Sequence, residues 1–267
     1  MKILKLFILL FVYILFNSNA YAKDIDISFD NGIYHIVLKG ESVKRKIKFI
    51  ASESLMTNRE AHFTSRSQLT INTGFFDPNN SKTISYIVTD RNTAADPLLN
   101  ENLLNNPVLR GNLDKIINRS EFRVLDCDNK YKYEIVPHKT AVDFSCDLIT
   151  SAQGGPMILP KLKLEEEFFI VKDKEGNIVR ESASVLHKVA RTIIGIKDNN
   201  AHILIITDKN PMDMYEVQAL CKSLGFEKAM AFDGGSSTSM NYKKKLEVVS
   251  TEDSGTGRML KSFMIIR

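Results

Sequence analysis

Short strand-like runs joined by tight turns constrain the fold of this 267-residue chain most strongly. Near the start, "DIDISFDNGIYHIVLKG" alternates apolar and polar residues around Asn31-Gly32, a strong hairpin turn. Later, "RTIIGIK" and "HILIIT" flank the turn "DNN", and "NPMDMYEVQALCKSLG" follows as a helix. For this helix we predict Asn210 as N-cap, Pro211 at the first helical position and Gly225 at the end. These patterns predict an α+β domain on a mixed, largely antiparallel β-sheet with a few packed helices.

The first 22 residues have the layout of a secretory signal peptide. A short basic start precedes an apolar core from Leu6 to Phe16, and Ala20 and Ala22 provide small residues at a cleavage site. That core is shorter than the roughly 20 residues that a membrane-spanning helix needs, although an uncleaved anchor is the alternative. We therefore expect a periplasmic or secreted protein whose mature domain covers residues 23–267 and has no stable membrane anchor.

Composition and cysteine content narrow the class of protein. The chain has 36 basic and 32 acidic residues, and 43% of its residues are hydrophobic. Because basic and acidic residues are nearly balanced, the composition gives no indication of nucleic-acid binding. The apolar content is that of a globular protein. Because oxidising compartments favour pairing of neighbouring cysteines, we predict a disulfide between Cys127 and Cys146. Cys221 lies on the apolar face of the predicted helix and is expected to be a buried free thiol.

The segment from about Asn92 to Thr150 is rich in Asn, Asp and Pro and lacks a sustained apolar pattern. We predict a short helix near Leu113–Ile117 and a strand at Tyr131–Val136 within it. The segment is interpreted as an irregular insertion on the domain. Its position between two glycine-containing motifs would allow it to form a lid.

Four short stretches combine glycine or charge with the ends of apolar runs: "INTGFFD", "QGGP", "RT" and "FDGGSS". Adjacent glycines let a ligand approach the main chain, and exposed N–H groups in such turns favour an anion. Together these stretches could bind a phosphorylated ligand and act on it. Each also has an ordinary structural interpretation, since glycine pairs reverse chains, Asp77 before Pro78 starts a turn, and a strand-edge arginine pairs with a surface acid.

Taken in order, "INTGFFD", "QGGPMIL", "RTIIGI" and "SLGFEKAMAFDGGSSTSM" resemble the phosphodiester glycosidase family. The stretches "NRSEFR" and "KSFMIIR", and the spacing of Cys127, His138 and Cys146, are similar to exopolysaccharide-related bacterial members of that family. The resemblance runs from about residue 68 to the C-terminus, and it departs from the family pattern at Thr73, where glycine or alanine is common. It implies hydrolysis of a sugar-1-phosphodiester.

Roles follow from the resemblance and from the chemistry of cleaving the C1–O bond. An oxocarbenium-like transition state needs a nearby carboxylate, for which Asp233 is the first candidate and Asp77 the second acid or a structural partner. The departing phosphate monoester, with a second pKa of about 6, needs charge stabilisation more than protonation. Arg191 and the N–H groups around Gly234 and Gly235 would supply it.

The other predicted substrate contacts belong to the same motifs. They are Asn72, which would orient the sugar or the phosphate, and Gly74, Gly154, Gly155, Ser236 and Ser237. Arg258 is a weaker candidate, because Gly255 and Gly257 beside it indicate a loop outside the site. His138 is the histidine that we would assign first if one is catalytic. The acidic run Glu165–Glu167 is interpreted as the solvated face of a helix.

Two rival functions stay open at this point. One is a phosphodiesterase that breaks the P–O bond with a divalent metal between Asp77 and Asp233. The other is a non-catalytic carbohydrate-binding accessory of polysaccharide export that retains the pocket. For the favoured function we expect a carbohydrate-phosphate substrate, no bound nucleic acid, no metal site and no cofactor, with a divalent cation as the alternative requirement.

Overall fold

Antiparallel strands make up most of the regular secondary structure of the computed structural model, which describes residues 24–243, 245–250 and 257–267. The predicted signal peptide lies outside the described residues. The strands are β1 Ile25–Asp30, β2 Ile33–Leu38, β3 Ile47–Met56, β4 Leu69–Asn72, β5 Ile87–Thr89, β6 Asn92–Ala95, β7 Ser120–Cys127, β8 Lys130–Pro137, β9 Cys146–Gln153, β10 Met157–Leu159, β11 Ile170–Lys172, β12 Ile178–Glu181, β13 Arg191–Lys197, β14 Asn200–Ile206, β15 Lys228–Ala231, β16 Ser239–Tyr242, β17 Leu246–Val249 and β18 Leu260–Ile266.

A few helices connect these strands. They are α1 Gly40–Lys44, α2 Asn58–Ser65, α3 Glu101–Asn105, α4 Leu113–Ile117 and α5 Met214–Ser223, with 3-10 turns at Pro97–Leu99, Arg110–Asn112 and Gly235–Ser237. Within the described ranges, no helix combines the length and the apolar character needed to cross a membrane. The content and pairing of these elements confirm the prediction of an α+β fold on largely antiparallel β-structure.

The strands divide among three large sheets and one hairpin. A six-stranded sheet has the order β1-β2-β14-β13-β15-β10, one five-stranded sheet has the order β17-β16-β4-β18-β3, and the other has the order β6-β5-β9-β7-β8. The strands β11 and β12 pair separately. The predicted hairpins form, with Asn31 and Gly32 between β1 and β2 and Asp198 and Asn199 between β13 and β14, all at positive φ. Such φ values match the turn to the twist of the strands.

Helix α5 begins three residues later than the sequence predicts. Asp213, not Asn210, is the N-cap, because its carboxylate accepts main-chain N–H groups of the first turn and Glu216 closes a capping box. The predicted start at Pro211 is therefore wrong. The predicted end is confirmed, since Gly225 follows the last turn at φ +74°.

One hydrophobic core joins all three large sheets. Phe49 on β3 packs against Phe122 on β7 and against Phe232 after β15, with ring centroids 5.9 and 6.2 Å apart. Phe122 belongs to the segment that we expected to be an irregular insertion. That expectation is wrong, because the segment forms β6 to β8 and most of β9 and contributes fully buried side chains such as Val124 to the shared core.

The cysteine predictions are confirmed. Cys127 and Cys146 are opposite each other on the paired strands β7 and β9 and form a disulfide. Cys221 is a free thiol on the buried side of α5.

Replacing both Cys127 and Cys146 by serine should lower the free energy of unfolding by about 3 kcal/mol, because the bond closes a loop in the unfolded chain. Urea denaturation of both proteins measures the difference. A reducing agent should destabilise the wild type to a similar extent and leave the double variant unchanged. Equal sensitivity of the two proteins to reductant would contradict the prediction.

Candidate active site

Asp233 lies directly after β15, where the buried Phe232 ends the strand. The main-chain N–H of Asp233 donates to the carbonyl of Thr73 at 2.8 Å. Its carboxylate lies close enough to the main chain of Gly234 and the side chain of Ser237 for both to stabilise its charged form. Protein therefore surrounds the carboxylate and fixes its position, while the residue keeps partial access to solvent.

Asn72, at the end of β4, supports Asp233 from inside the protein. Its Nδ2 donates to the carbonyl of Asp233 at 2.5 Å, and its Oδ1 accepts from Thr192 Oγ1 at 2.7 Å and from the N–H of Ser239 at 3.0 Å. The side chain is 1% exposed. Asn72 is thus a support for Asp233 and not the substrate contact that the sequence suggested.

The predicted contacts Gly74, Gly154 and Gly155 are packing positions. The N–H groups of all three already donate within the protein. A Cβ at Gly74 would lie 2.6 Å from Ser85 Cβ, and one at Gly154 would lie 2.5 Å from the carbonyl oxygen of Ala231. These glycines allow close contact between strands and loops, so the expectation that their N–H groups bind an anion is not met.

The glycine pair after Asp233 forms a turn that positions the Asp233 side chain. Gly235 has φ +57°, and its N–H donates to the carbonyl of Ala190 at 2.8 Å. The N–H of Gly235 is therefore not available to a phosphate, and the main chain of Gly234 acts to stabilise the charged Asp233 carboxylate. The turn instead holds the carboxylate at the end of the strand.

Arg258 lies closer to the site than we expected from its flanking glycines. Its Nη1 is 3.2 Å from Ser236 Oγ and 3.4 Å from Ser237 Oγ, and its guanidinium lies 5.1 Å from the centre of the Phe76 ring. Its charge also acts on the Asp233 carboxylate. Ser237 therefore lies between Arg258 and Asp233 and interacts with both.

Arg191, which we expected to stabilise the phosphate, is committed to structure. Its side chain is 1% exposed, and burial lowers its pKa to about 10. The guanidinium donates to four main-chain carbonyls, those of Met212, Ala183, Ser184 and His187. Arg191 therefore holds a loop beside the site and does not line the pocket described below.

Asp77 is a turn residue. Its Oδ1 accepts the N–H of Asn79 at 2.9 Å and its Oδ2 accepts Asn102 Nδ2 at 3.1 Å. It lines an open cavity of about 620 Å³ that shares the wall residues Ile84, Leu103 and Leu109 with the pocket of Asp233. Asp77 is not part of that second pocket, so the structure does not place the two predicted carboxylates together.

The pocket that Asp233 lines has a volume of about 230 Å³. Three aromatic rings, several aliphatic side chains and two arginines surround it. Its lining residues are Phe75, Phe76, Ile84, Leu103, Leu109, Ile116, Arg119, Phe169, Arg180, Ser182, Ala183 and Asp233. Leu103, Leu109 and Ile116 come from the segment proposed as a lid, which therefore contributes a wall to this pocket.

Arg119 and Arg180 are the pocket cations that the sequence analysis missed. Arg119 Nε donates to the carbonyl of Glu167 at 3.0 Å, and its guanidinium lies 4.0 Å from the centre of the Phe169 ring. Arg180 Nη1 donates to the carbonyl of Phe168 at 3.1 Å. Burial lowers the pKa of both, to about 10 for Arg119. The stretch "NRSEFR" contains Arg119 and was the available signal, whereas nothing in the sequence singles out Arg180.

The Asp233 carboxyl has a pKa raised to about 6, because burial disfavours its charged form. The hydrogen bond from Ser237, the charge of Arg258 and the hydrogen bond from Gly234 act in the opposite direction. A carboxyl group of this kind is ionised at neutral pH but still basic enough to take part in acid-base or nucleophilic chemistry.

His138 and Glu167 are both absent from the lining of the Asp233 pocket. His138 stacks on Tyr86 at 3.9 Å and its Nδ1 lies 3.1 Å from Glu121 Oε2, outside the pocket of Asp233. Glu165 and Glu166 are exposed as expected, but Glu167 is buried in a turn at 4% exposure, so its interpretation as part of a solvated helix face is wrong.

The metal-bridged rival needs Asp77 and Asp233 in one site. These residues line different cavities, and the part of the chain that the structure describes has no cluster of three or more His, Cys, Asp or Glu side chains suited to a metal ion. The arrangement that this rival requires is therefore not formed by those two aspartates.

Comparison with known proteins identifies the family. The family model for phosphodiester glycosidases matches residues 65–267. The chain therefore belongs to the phosphodiester glycosidase family, which confirms the resemblance seen in its motifs. No functionally curated protein matches the sequence.

Solved structures share the fold at low sequence identity. The zebrafish N-acetylglucosamine-1-phosphodiester alpha-N-acetylglucosaminidase catalytic domain, auto-inhibited by its pro-peptide, has 14% identity and a TM-score of 0.66, over 91% of this chain and 81% of that chain. A putative exported protein from Burkholderia pseudomallei has 11% identity and a TM-score of 0.62, over 88% and 73%. A hypothetical protein from Synechocystis has 12% identity and a TM-score of 0.51, over 91% and 61%.

The raised pKa of Asp233 predicts a pH-dependent effect of Asp233→Asn on stability. The folded state binds the proton more tightly than the unfolded state, so the wild type loses stability as the pH rises from about 4 to above 6. The uncharged variant lacks this loss. Its unfolding temperature relative to wild type should therefore increase over that range. The corresponding change in the free energy of unfolding is at most about 3 kcal/mol.

Thermal unfolding at several pH values measures this difference. Asp77→Asn removes the same charge from outside the pocket and serves as the matched control. A difference between Asp233→Asn and wild type that stays constant with pH would contradict the assignment of a desolvated carboxyl.

Proposed function

We propose that this protein is a hydrolase that cleaves the glycosidic C1–O bond of a sugar-1-phosphodiester. The observation that carries the proposal is the pocket in which the desolvated carboxyl of Asp233 faces the same space as the guanidinium groups of Arg119 and Arg180. One carboxylate and several cations match a reaction in which positive charge develops at the sugar and the leaving group is an anion. Membership of the family supports the same reaction.

In this mechanism Asp233 acts as an ionised carboxylate. It would stabilise the oxocarbenium-like transition state, either as a nucleophile at C1 or by activating the attacking water. Water supplies the new hydroxyl group on the sugar, and the phosphate departs as a monoester. Because the Asp233 pKa is about 6, kcat/KM should rise as the pH increases through that value.

The phosphate would be held by Arg119 and Arg180, which line the pocket, while Arg258 would add positive charge from beside the turn that follows Asp233. Arginine offers several N–H donors in a planar group that suits phosphate oxygens. The phosphate monoester is a good leaving group, so charge stabilisation can replace a second acid. This division of roles accounts for a pocket with cations beside Asp233 and with Asp77 elsewhere.

We further propose that the protein works outside the cytoplasm, in the periplasm or as a secreted protein, on a carbohydrate-phosphate substrate. Three observations support this: the predicted signal peptide, the Cys127–Cys146 disulfide, and the similarity to a putative exported protein. Fractionation of expressing cells and N-terminal sequencing should find the mature chain outside the cytoplasm and starting near Lys23. A cytoplasmic full-length chain would contradict the proposal.

Hydrolysis of a GlcNAc-1-phosphodiester in oxygen-18 water tests the reaction. We expect the label in the sugar. Label in the phosphate would indicate P–O cleavage, and no turnover would favour a carbohydrate-binding protein. Asp233→Asn should reduce kcat on the order of 1,000-fold or more, Asp77→Asn should retain turnover, and chelation of divalent cations should leave the wild-type rate unchanged.

Arg119 and Arg191 form a matched pair for testing the phosphate site. Arg119→Met removes a pocket cation and should lower kcat/KM by about 100-fold. Arg191→Met leaves several buried carbonyls without donors, so it should mainly lower stability, by about 3 kcal/mol or more. Steady-state kinetics and urea denaturation of both variants separate these effects. A catalytic loss for Arg191→Met in a fully folded protein, with none for Arg119→Met, would reverse the assignments.

A further inference from the structure

Glu167 has a buried carboxyl group immediately behind the pocket. The proposed mechanism does not use this group. Its Oε1 accepts hydrogen bonds from Ser120 Oγ at 2.6 Å and from the N–H of Met157 at 3.2 Å. Its Oε2 is buried without a hydrogen-bond partner. That oxygen occupies the space that a side chain at Gly155 would need. The turn that carries Glu167 thus places an acidic side chain inside the protein with one oxygen unpaired.

An ionised carboxylate in this position is unfavourable. A buried charge is tolerated when it is paired and fully hydrogen bonded, but among the described residues no ion pair is formed by Glu167 and one of its oxygens has no donor. A neutral carboxyl group loses much less on burial. In agreement, burial raises the pKa of Glu167, with the hydrogen bonds from Ser120 and Met157 and the charge of Arg119 acting against it.

The same residue supports the pocket cation. The main-chain carbonyl of Glu167 accepts Arg119 Nε at 3.0 Å, and Phe169, two residues later, lies under the guanidinium. Ser120, which binds the Glu167 carboxyl, directly follows Arg119 in the chain. Glu167 and Arg119 are therefore neighbours that interact electrostatically without forming a direct ion pair.

We propose that Glu167 is a positioning residue that acts through Arg119. As a neutral carboxyl it leaves the guanidinium charge available to the anion of the substrate, and as a carboxylate it offsets that charge. The inference rests on the proposed function in so far as the anion is the phosphodiester. It predicts that anion binding in the pocket weakens when Glu167 ionises.

Other charges near Glu167 are accounted for in this proposal. Arg119 is the charged group that faces it, and Arg180 acts on Arg119 from β12. Glu165 and Glu166, on the same turn, are exposed and pair with lysines. The carboxyl of Asp233 also titrates in the pocket, so the test uses a protein in which this residue is replaced by asparagine.

The test measures binding of sulfate, whose charge stays constant between pH 5 and 9, by calorimetry at fixed ionic strength. Asp233→Asn is the parent protein, and Asp233→Asn with Glu167→Gln is the variant. In the parent, the Kd for sulfate should increase by about tenfold as the pH rises, as expected for opposite charges interacting across a partly screened interior. In the double variant the Kd should stay low and constant.

Three outcomes would overturn the inference. An equal rise in Kd in both proteins would assign the effect to another group. A constant Kd in the parent would mean that Glu167 does not ionise or does not act on Arg119. An absence of sulfate binding in both proteins would contradict the anion site itself.

Ser120→Ala in the Asp233→Asn parent provides a second measurement if Glu167→Gln does not fold. It removes a hydrogen bond that favours the carboxylate and should shift the rise in Kd to higher pH. An unshifted rise would also contradict the inference. Oxygen-18 labelling distinguishes the two proposals. Turnover together with a pH-independent sulfate Kd would contradict only the role of Glu167. The expected change in sulfate Kd without turnover would contradict only the proposed reaction.

Discussion

The buried amide of Asn72 is the interaction on which the site depends. It lies at the end of β4 in one sheet, accepts from Thr192 on β13 in another and from Ser239 on β16, and donates to the carbonyl of Asp233. An amide suits this junction because one end accepts and the other donates, whereas a carboxylate only accepts. Asn72 does not line the pocket, and together with the hydrogen bond from the Asp233 N–H to the Thr73 carbonyl it sets the position of Asp233 relative to two sheets.

The surroundings that place Asp233 also set its chemistry. Burial raises its pKa, while the charge of Arg258 and the local hydrogen bonds oppose that rise. The arginine ion pairs of the described residues involve Arg59, Arg91 and Arg123, so no pocket arginine is neutralised by Asp233. Carboxylate and cations thus share a pocket and keep their charges for a ligand, which is the arrangement that an anionic leaving group requires.

Features encoded by neighbouring residues could be predicted from the sequence, and features that depend on distant hydrogen bonds could not. The hairpin at Gly32 and the position of Asp233 after a buried strand are local. By contrast, Glu121 and Arg123 interrupt the apolar pattern of β7 in the sequence, but the two side chains are buried as an ion pair at 2.9 Å. Nothing in the sequence indicates that Arg191 is surrounded by carbonyls.

Different contacts hold the Asp233 carboxyl and the pocket cations. Asp233 depends on hydrogen bonds to Asn72 and Thr73. Arg119 and Arg180 instead donate to the main-chain carbonyls of Glu167 and Phe168, in a separate turn. Because each arginine uses a main-chain acceptor, its position does not require a neutralising acid. Anion affinity can therefore be tuned by groups behind the arginines without moving the carboxylate, and a buried acid beside Arg119 is where such tuning would be strongest, since Coulomb interactions are least screened there.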